Sequence, residues 1–399
     1  MRLKCIECSE HFEVKPLYKC PNCNGILDVV YDVKNEKLRD LTSSNDLKQT
    51  FIFHDHKTDN LLGEGNTPIV SLSKTARRVH TGNLYAKCEF LNPSGSFKDR
   101  PVAAGIKKAL EFGYEKIIVA SSGNGAASVS AFAARFGLDC IILVPESTPD
   151  EKVKQAHFYG GKVIKVKGPY SNSFNLALRL SEVSPYYNLT TTFINPYTIE
   201  GDKGVAYEAH FQLNQWPDYV VVPIGAGPLL VGTFKGFKEL KELFDLDCPL
   251  PRMIGVQATG CSPIAEAFKL GLEYVSEEEN PQTIAGGIGD GLLGYSEDGT
   301  YTLDIIRESG GLCIDVSDGE LLAAQSELAK EEGMFVEPSA ATSLAGWRKA
   351  FKGKDMTETS SLLLMTGHGL KDMKSIDQTN EIIPCILPNV DDLIRLIQK

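Results

Sequence analysis

The stretch Asn92-Pro93-Ser94-Gly95-Ser96-Phe97-Lys98-Asp99-Arg100 sets a lysine after a proline and glycine turn and ahead of a helix-period run at residues 103–112. The positive end of a helix dipole lowers the pKa of an ammonium beside it, which favours the neutral amine that attacks a carbonyl. Taken alone, a lysine in such a place is more often a solvated surface residue. Three more loops follow apolar runs. Ser121-Ser122-Gly123-Asn124-Gly125 offers hydroxyls and backbone N–H groups to an anion such as a carboxylate, and reads equally as a tight turn with an asparagine helix cap. Gly225-Ala226-Gly227-Pro228-Leu229 leaves its backbone bare enough for a phosphate to approach. It is not a dinucleotide fingerprint, because Leu230 stands where the third glycine of GxGxxG belongs, and no Walker lysine follows. Thr366-Gly367-His368-Gly369 puts a hydroxyl at the end of an apolar run. A helix-start lysine, an anion loop, a phosphate loop and a strand-end hydroxyl are together the parts that hold pyridoxal phosphate.

A second chemistry sits at the start of the chain. Four of the ten cysteines form two close pairs, Cys5 with Cys8 and Cys20 with Cys23, a spacing that converges on a tetrahedral thiolate site for zinc. Such a site is closed to water and therefore structural, and it would hold together a module too small for a hydrophobic core of its own. The same pairs would also serve as free dithiols on a disordered arm. Cys88, Cys140, Cys248, Cys261, Cys313 and Cys385 are scattered in mostly apolar contexts and read as reduced, buried small residues.

The elements that must position these loops follow from periodicity. Strand-length apolar runs at 116–120, 139–144, 162–166, 219–223, 253–257 and 362–365 alternate with helix-period segments at 126–136, 173–181, 230–243 and 319–332. This is the signature of βα units in a mostly parallel sheet, whose carboxyl edge holds ligands. A closing strand at 27–31 and a polar linker from Asp32 to about Lys48 separate the cysteine module from the rest. The 399 residues fit two lobes and a small appendage. The 41 basic against 52 acidic residues give a net charge of −11, which repels nucleic acid and anionic membranes. No apolar run spans a bilayer and the first residues lack a signal-peptide pattern, so a cytoplasmic enzyme is expected.

With these motifs in place, the sequence resembles the fold type II pyridoxal-phosphate enzymes and, within them, the threonine synthase family. The resemblance runs from the cysteine pairs and Leu27-Asp28-Val29-Val30-Tyr31-Asp32, through Gly63-Glu64-Gly65-Asn66-Thr67-Pro68, to Thr366-Gly367-His368-Gly369-Leu370-Lys371-Asp372. It implies an α/β fold of two parallel-sheet lobes of the tryptophan-synthase-β-like kind with an N-terminal zinc-ribbon-like module. The expected division is 1–32 for the ribbon, 84–200 for the smaller lobe, and 33–83 plus 201–399 for the larger. By the same resemblance Lys98 holds the cofactor as an imine and shuttles protons, Asn124 bonds its 3-oxygen, and Thr366 faces its ring nitrogen. Gly225, Ala226, Gly227 and Leu229 would cradle its phosphate, and Ser121, Ser122 and Gly123 would take the substrate carboxylate. A neutral hydroxyl at the ring nitrogen makes a weaker electron sink than an acid would, which favours elimination and replacement at the β or γ carbon. The family reaction converts O-phospho-L-homoserine and water to L-threonine and phosphate. An amino-acid substrate, a homodimer, and zinc as a structural metal complete what the resemblance implies.

The chain departs from the family in one informative stretch. Asn195-Pro196-Tyr197-Thr198-Ile199-Glu200-Gly201-Asp202-Lys203 is similar to the family's Asn-Pro-Tyr-Arg-Ile-Glu-Gly-Gln-Lys, whose arginine helps to bind the substrate phosphate. Thr198 stands at that position. Lys203 is retained as a substrate-binding residue, and Arg100 or Lys154 is available in place of the missing guanidinium. Ala226 and Pro228 also alter the phosphate loop. The alternative activity is a threonine or serine dehydratase, or a β-replacement synthase acting on another activated hydroxyamino acid. His368 is as suited to shaping its loop as to moving protons. His54, Asp55 and His56 read as an exposed polar linker, Glu277-Glu278-Glu279 as a solvated turn, and Ile284-Ala285-Gly286-Gly287-Ile288-Gly289 as a flexible loop near the pocket mouth. Glu337 opens a helix near the expected ring and is assigned no chemistry.

Overall fold

A computed structural model describes residues 1–31, 41–53, 62–376 and 384–398. The first 31 residues form a three-stranded antiparallel sheet of β1 (Arg2–Cys5), β2 (His11–Phe12) and β3 (Leu27–Val30), in the order β2-β1-β3. Leu3 and Val29 alternate inward and are fully buried, packed with Cys5, Cys20 and Tyr197 of the main body. The expected linker is only partly tested, because its first part and the His54-Asp55-His56 segment lie outside the described residues. Its far end is ordered structure, the helix Ser44–Lys48, opened by a reciprocal cap between Ser43 and Asp46.

The rest of the chain carries β4 (Ile69–Ser71), β5 (Thr81–Lys87), β6 (Lys116–Ala120), β7 (Asp139–Pro145), β8 (Lys162–Val166), β9 (Tyr187–Asn188), β10 (Tyr219–Pro223), β11 (Arg252–Ala258), β12 (Leu312–Val316) and β13 (Met356–Leu364). They build two sheets. The smaller has the order β8-β7-β6-β9 and is wholly parallel. The larger has the order β12-β11-β10-β13-β5-β4 and is parallel except for the edge strand β4. Val220, Val221 and Val222 are all buried, as a strand covered by helices on both faces requires. The strands read from the sequence lie at their expected places, except that β13 begins at Met356 rather than Leu362, where the apolar run starts.

Two expectations are corrected. The smaller lobe is expected to begin at residue 84, but β5 pairs with β13 and β4 inside the larger sheet. Of these partners β13 lies some 275 residues later in the chain, a pairing that no local pattern announces. Of the six scattered cysteines, Cys88, Cys140, Cys261 and Cys313 are buried, whereas Cys248 is half-buried and Cys385 exposed. No helix among the described residues is long and apolar enough to cross a membrane.

The loops of interest leave the carboxyl ends of β6, β10 and β13 and line one cavity. Backbone bonds lace them together. The Phe97 N–H donates to the Thr366 carbonyl at 2.9 Å, the His368 N–H to the Gly95 carbonyl at 2.9 Å, and the Glu337 N–H to the Gly367 carbonyl at 3.0 Å. Beneath them Arg100 is buried between two carboxylates, with Nε and Nη2 on Glu89 at 2.6 and 2.7 Å and Nη1 and Nη2 on Glu208, both at 2.7 Å. Lys87 and Lys48 also approach Glu208, at 2.6 and 3.4 Å. Burial alone would push the Glu208 carboxyl up, yet these three cations hold it well below the usual carboxylate range.

Candidate active site

Lys98 stands at the helix start the sequence predicts, immediately before the helix Asp99–Glu111. Its half-buried side chain enters a cavity of about 1070 Å³ between the two sheets. Among the described residues Nζ has one weak hydrogen-bond partner, the Thr191 carbonyl at 3.4 Å, and it lies 4.7 Å from the centre of the Phe97 ring. Burial lowers the ammonium pKa, and the carboxylates of Asp202 and Asp290 oppose that shift. A lysine with so little to hold its proton is disposed to act as a neutral nucleophile.

The other loops face the same space. Ser121, Ser122, Gly123 and Asn124 line it from the small sheet, and Thr366 from the large one. Gly225, Ala226, Gly227 and Leu229 line it where the helix Pro228–Leu243 begins. Proline at the first position of that helix gives up no bonded N–H, and the helix start presents a positive dipole end. Gly227 has φ +100°, and a methyl there would overlap Thr302, whose hydroxyl bonds the Ala226 carbonyl. Only glycine keeps this turn open. The turn, with no acid on the helix start itself, fits a phosphate held by backbone N–H groups.

Glu337 enters this cavity as well. Asn124 Nδ2 donates to its two carboxylate oxygens at 3.0 and 3.2 Å. A side chain at Gly367 would crowd that carboxyl. Burial pushes it up to about 7, against the opposing hydrogen bond from Asn124.

A lysine, an anion loop, a phosphate cradle and a strand-end hydroxyl thus converge on one cavity. The family model described as pyridoxal-phosphate dependent enzyme matches residues 61–367, which contain all four. The chain belongs to the pyridoxal-phosphate-dependent enzymes. It is 37% identical over 407 residues to a threonine synthase of Methanosarcina acetivorans, spanning 99% of this chain and 98% of that protein. It is 36% identical over 394 residues to a threonine synthase of Methanocaldococcus jannaschii, spanning 96% and 95%. Within the pyridoxal-phosphate-dependent enzymes it is therefore a lyase of the threonine synthase type. Among solved structures it is similar to maize serine racemase, with a TM-score of 0.68 and 24% identity over 84% of this chain and 95% of that one. The processed form of threonine deaminase isoform 2 from Solanum lycopersicum gives 0.64 and 24% over 79% and 88%. These two likenesses speak for the fold, that of the fold type II pyridoxal-phosphate-dependent enzymes.

One expected residue of this pyridoxal-phosphate-dependent enzyme is not in the cavity. Lys203, which joins the helices Pro196–Asp202 and Gly204–Gln212, is fully buried, bonded to Glu200 at 2.6 Å and Glu239 at 3.1 Å and set over the Tyr31 ring at 4.4 Å. Its charge is spent on those groups. Arg100, the candidate substitute for the missing arginine, is equally committed to Glu89 and Glu208. Thr198 turns inward too, its hydroxyl donating to the Asn195 carbonyl at 2.7 Å.

Asp202 is a feature that sequence reasoning passed over. It is fully buried, and neither of its oxygens accepts a hydrogen bond among the described residues. Burial pushes its carboxyl up to about 8, against the attraction of Lys98 and then Arg100. Its place in the family stretch, where it stands for glutamine, was the available signal. Glu337 gave less warning, since its partner Asn124 is 213 residues away.

The ribbon brings its four cysteines together. The four sulfurs all lie within 4.8 Å of one another, with Cys5 to Cys23 at 3.5 Å and Cys8 to Cys20 at 3.7 Å. A tetrahedral zinc with bonds of about 2.3 Å requires sulfur separations of about 3.8 Å, so the donor set fits that ion.

Proposed function

We propose that this enzyme is a threonine synthase, converting O-phospho-L-homoserine and water to L-threonine and phosphate. The observation that carries the reading is the nearly full-length likeness to threonine synthases over a cavity in which Lys98, the 121–124 loop and the 225–229 cradle meet. Pyridoxal phosphate supplies, when bound, the electron sink that stabilises negative charge at the substrate's α carbon. Lys98 is the base and acid. A single weakly held amine, its proton disfavoured by burial, serves successive transfers at neighbouring carbons. Ser121, Ser122 and Gly123 take the substrate carboxylate through hydroxyl and backbone N–H groups. Asn124 and Thr366 would hold the cofactor ring through uncharged groups, and the uncharged Thr366 suits loss of a leaving group over transamination. Zinc in the cysteine site, a homodimer and a cytoplasmic location belong to the same reading.

Thr198 in place of the family's arginine favours a second reading, a dehydratase or β-replacement synthase on an activated hydroxyamino acid. Purified holoenzyme supplied with O-phospho-L-homoserine is expected to release phosphate and threonine in equal amounts. Formation of a 2-oxo acid from threonine or serine, without threonine from the phosphorylated substrate, would establish the second reading instead. Lys98→Ala is expected to abolish turnover and the visible absorbance of the bound cofactor, and light scattering tests the homodimer.

A further inference from the structure

Threonine differs from 2-aminobutyrate by one hydroxyl, and the β carbon that carries it is a stereocentre. In the overall change this carbon loses a proton and gains the hydroxyl, the γ carbon loses phosphate with its electron pair and gains a proton, and the water's second proton balances the departing phosphate. The water must therefore be held against one face of the β carbon, which calls for a fixed hydrogen-bonding atom in the cavity. The groups already placed do not supply it. Lys98 moves the protons, Glu337 is bonded by Asn124, and the Tyr170 hydroxyl donates to the Ala120 carbonyl at 2.9 Å. Glu151 is ion-paired with Lys374 at 2.5 Å.

Asp290 lines the same cavity with a half-buried side chain, at the end of the stretch Gly286-Gly287-Ile288-Gly289. One of its oxygens is pinned. Oδ1 accepts the Tyr295 hydroxyl at 2.6 Å and the Leu292 N–H at 3.0 Å. Tyr295 is buried, its ring stacked on Phe174 with centroids 4.6 Å apart, so the core fixes the direction of the carboxyl. Leu292 has φ +59°, a conformation that leucine seldom adopts and that the surrounding structure has to maintain. The other oxygen is bare, since Oδ2 accepts no hydrogen bond among the described residues. A side chain on Gly225 would meet this carboxyl, its Cβ standing 3.0 Å from Asp290 Cβ and 3.7 Å from Oδ2. Burial pushes the carboxyl up, and the bonds from Tyr295 and Leu292 and the charge of Lys98 oppose that shift. A carboxyl held through one oxygen, open at the other and within the field of Lys98 suits a small hydroxyl beside the amine that moves the protons.

The structure assigns Asp290 Oδ2 as the atom that holds the water on its way to the β carbon and afterwards the hydroxyl of threonine. This rests on the reading of the enzyme as one that makes threonine.

The test is spectral titration of the holoenzyme with L-threonine, with its β epimer L-allo-threonine and with L-2-aminobutyrate, which lacks the hydroxyl. The wild type is expected to bind L-threonine about tenfold more tightly than either of the others, the size of one hydrogen bond to a charged group. Asp290→Ala should lose that preference while its affinity for L-2-aminobutyrate stays within about twofold, and the retained cofactor band shows that the variant is folded. Asp290→Asn, which keeps a hydrogen-bonding atom on both arms, should restore most of the preference. With O-phospho-L-homoserine, Asp290→Ala is expected to keep releasing phosphate but to divert product from threonine to 2-oxobutyrate and ammonia, which consumes the same single water. A wild type that makes threonine yet binds all three amino acids alike overturns this assignment alone, as does an Asp290→Ala variant with unchanged preference and product ratio. A wild type that binds cofactor but yields neither phosphate nor threonine from the phosphorylated substrate overturns the proposed function, and the assignment with it.

Discussion

At the scale of single residues, Glu337 shows how burial converts an ordinary carboxyl into a group that titrates near neutrality. Its carboxyl moves from 4.5 to about 7, first through loss of water and against the bond from Asn124. A carboxyl raised in the folded state binds its proton more tightly there than in the unfolded chain. Its contribution to stability is therefore fully present below pH 4.5 and is lost as pH rises through about 7. The span corresponds to about 3 kcal/mol at most. Glu337→Gln is expected to flatten that fall when stability is measured by urea unfolding at several pH values. An unchanged slope would mean that the carboxyl is ionised in the folded protein at acid pH. Sequence alone marks this residue only as a helix opener. Its partner is Asn124, and the hydrogen bond between them exists only because two distant loops meet.

At the scale of elements, the turn before the helix Pro228–Leu243 and the ion cluster under the lysine loop can be tested separately. Gly227→Ala would place a methyl against Thr302 and force alanine to a φ of +100°. A loss of cofactor affinity of about tenfold or more is expected in a titration followed by absorbance. Affinity equal to the wild type would show that the phosphate is held elsewhere. Arg100→Leu removes one partner of a buried cluster and leaves Glu89 and Glu208 facing each other with fewer cations. Breaking a buried pair from one side costs about 3–5 kcal/mol, so the urea midpoint should fall clearly. A midpoint within error of the wild type would show that the cluster adapts. Local signals revealed the glycine turn and the helix that follows it, because glycine and proline act within a few residues, whereas the serine-capped helix Ser44–Lys48 lies in a stretch that reads as a linker. They did not reveal which way Lys203 turns, since Glu239 lies 36 residues further on.

At the scale of the whole molecule, the ribbon is joined to the enzyme body by specific contacts rather than tethered beside it. The Asn188 N–H donates to the Tyr18 hydroxyl at 2.8 Å, the Tyr197 hydroxyl to the Lys15 carbonyl at 2.7 Å, and Lys235 binds Asp28 at 2.6 Å. Cys5→Ser with Cys20→Ser is expected to abolish bound metal, read by elemental analysis, and to speed amide exchange in residues 1–31 while the cofactor band persists. Loss of the band would mean that these contacts support the helix Pro196–Asp202 and, through it, the cavity. Alone, the amino-acid order determined the parts: two cysteine pairs, a lysine at a helix start, a bare glycine turn and strands of a parallel sheet. Each of these depends on neighbours in the chain, where spacing and dihedral preference act directly. Tertiary structure alone decided that β5 joins the larger sheet and that Lys203 and Arg100 are consumed by buried carboxylates. Those outcomes depend on burial and on distances between residues far apart in sequence, and an electrostatic partner exists for a side chain only once the fold has brought it near.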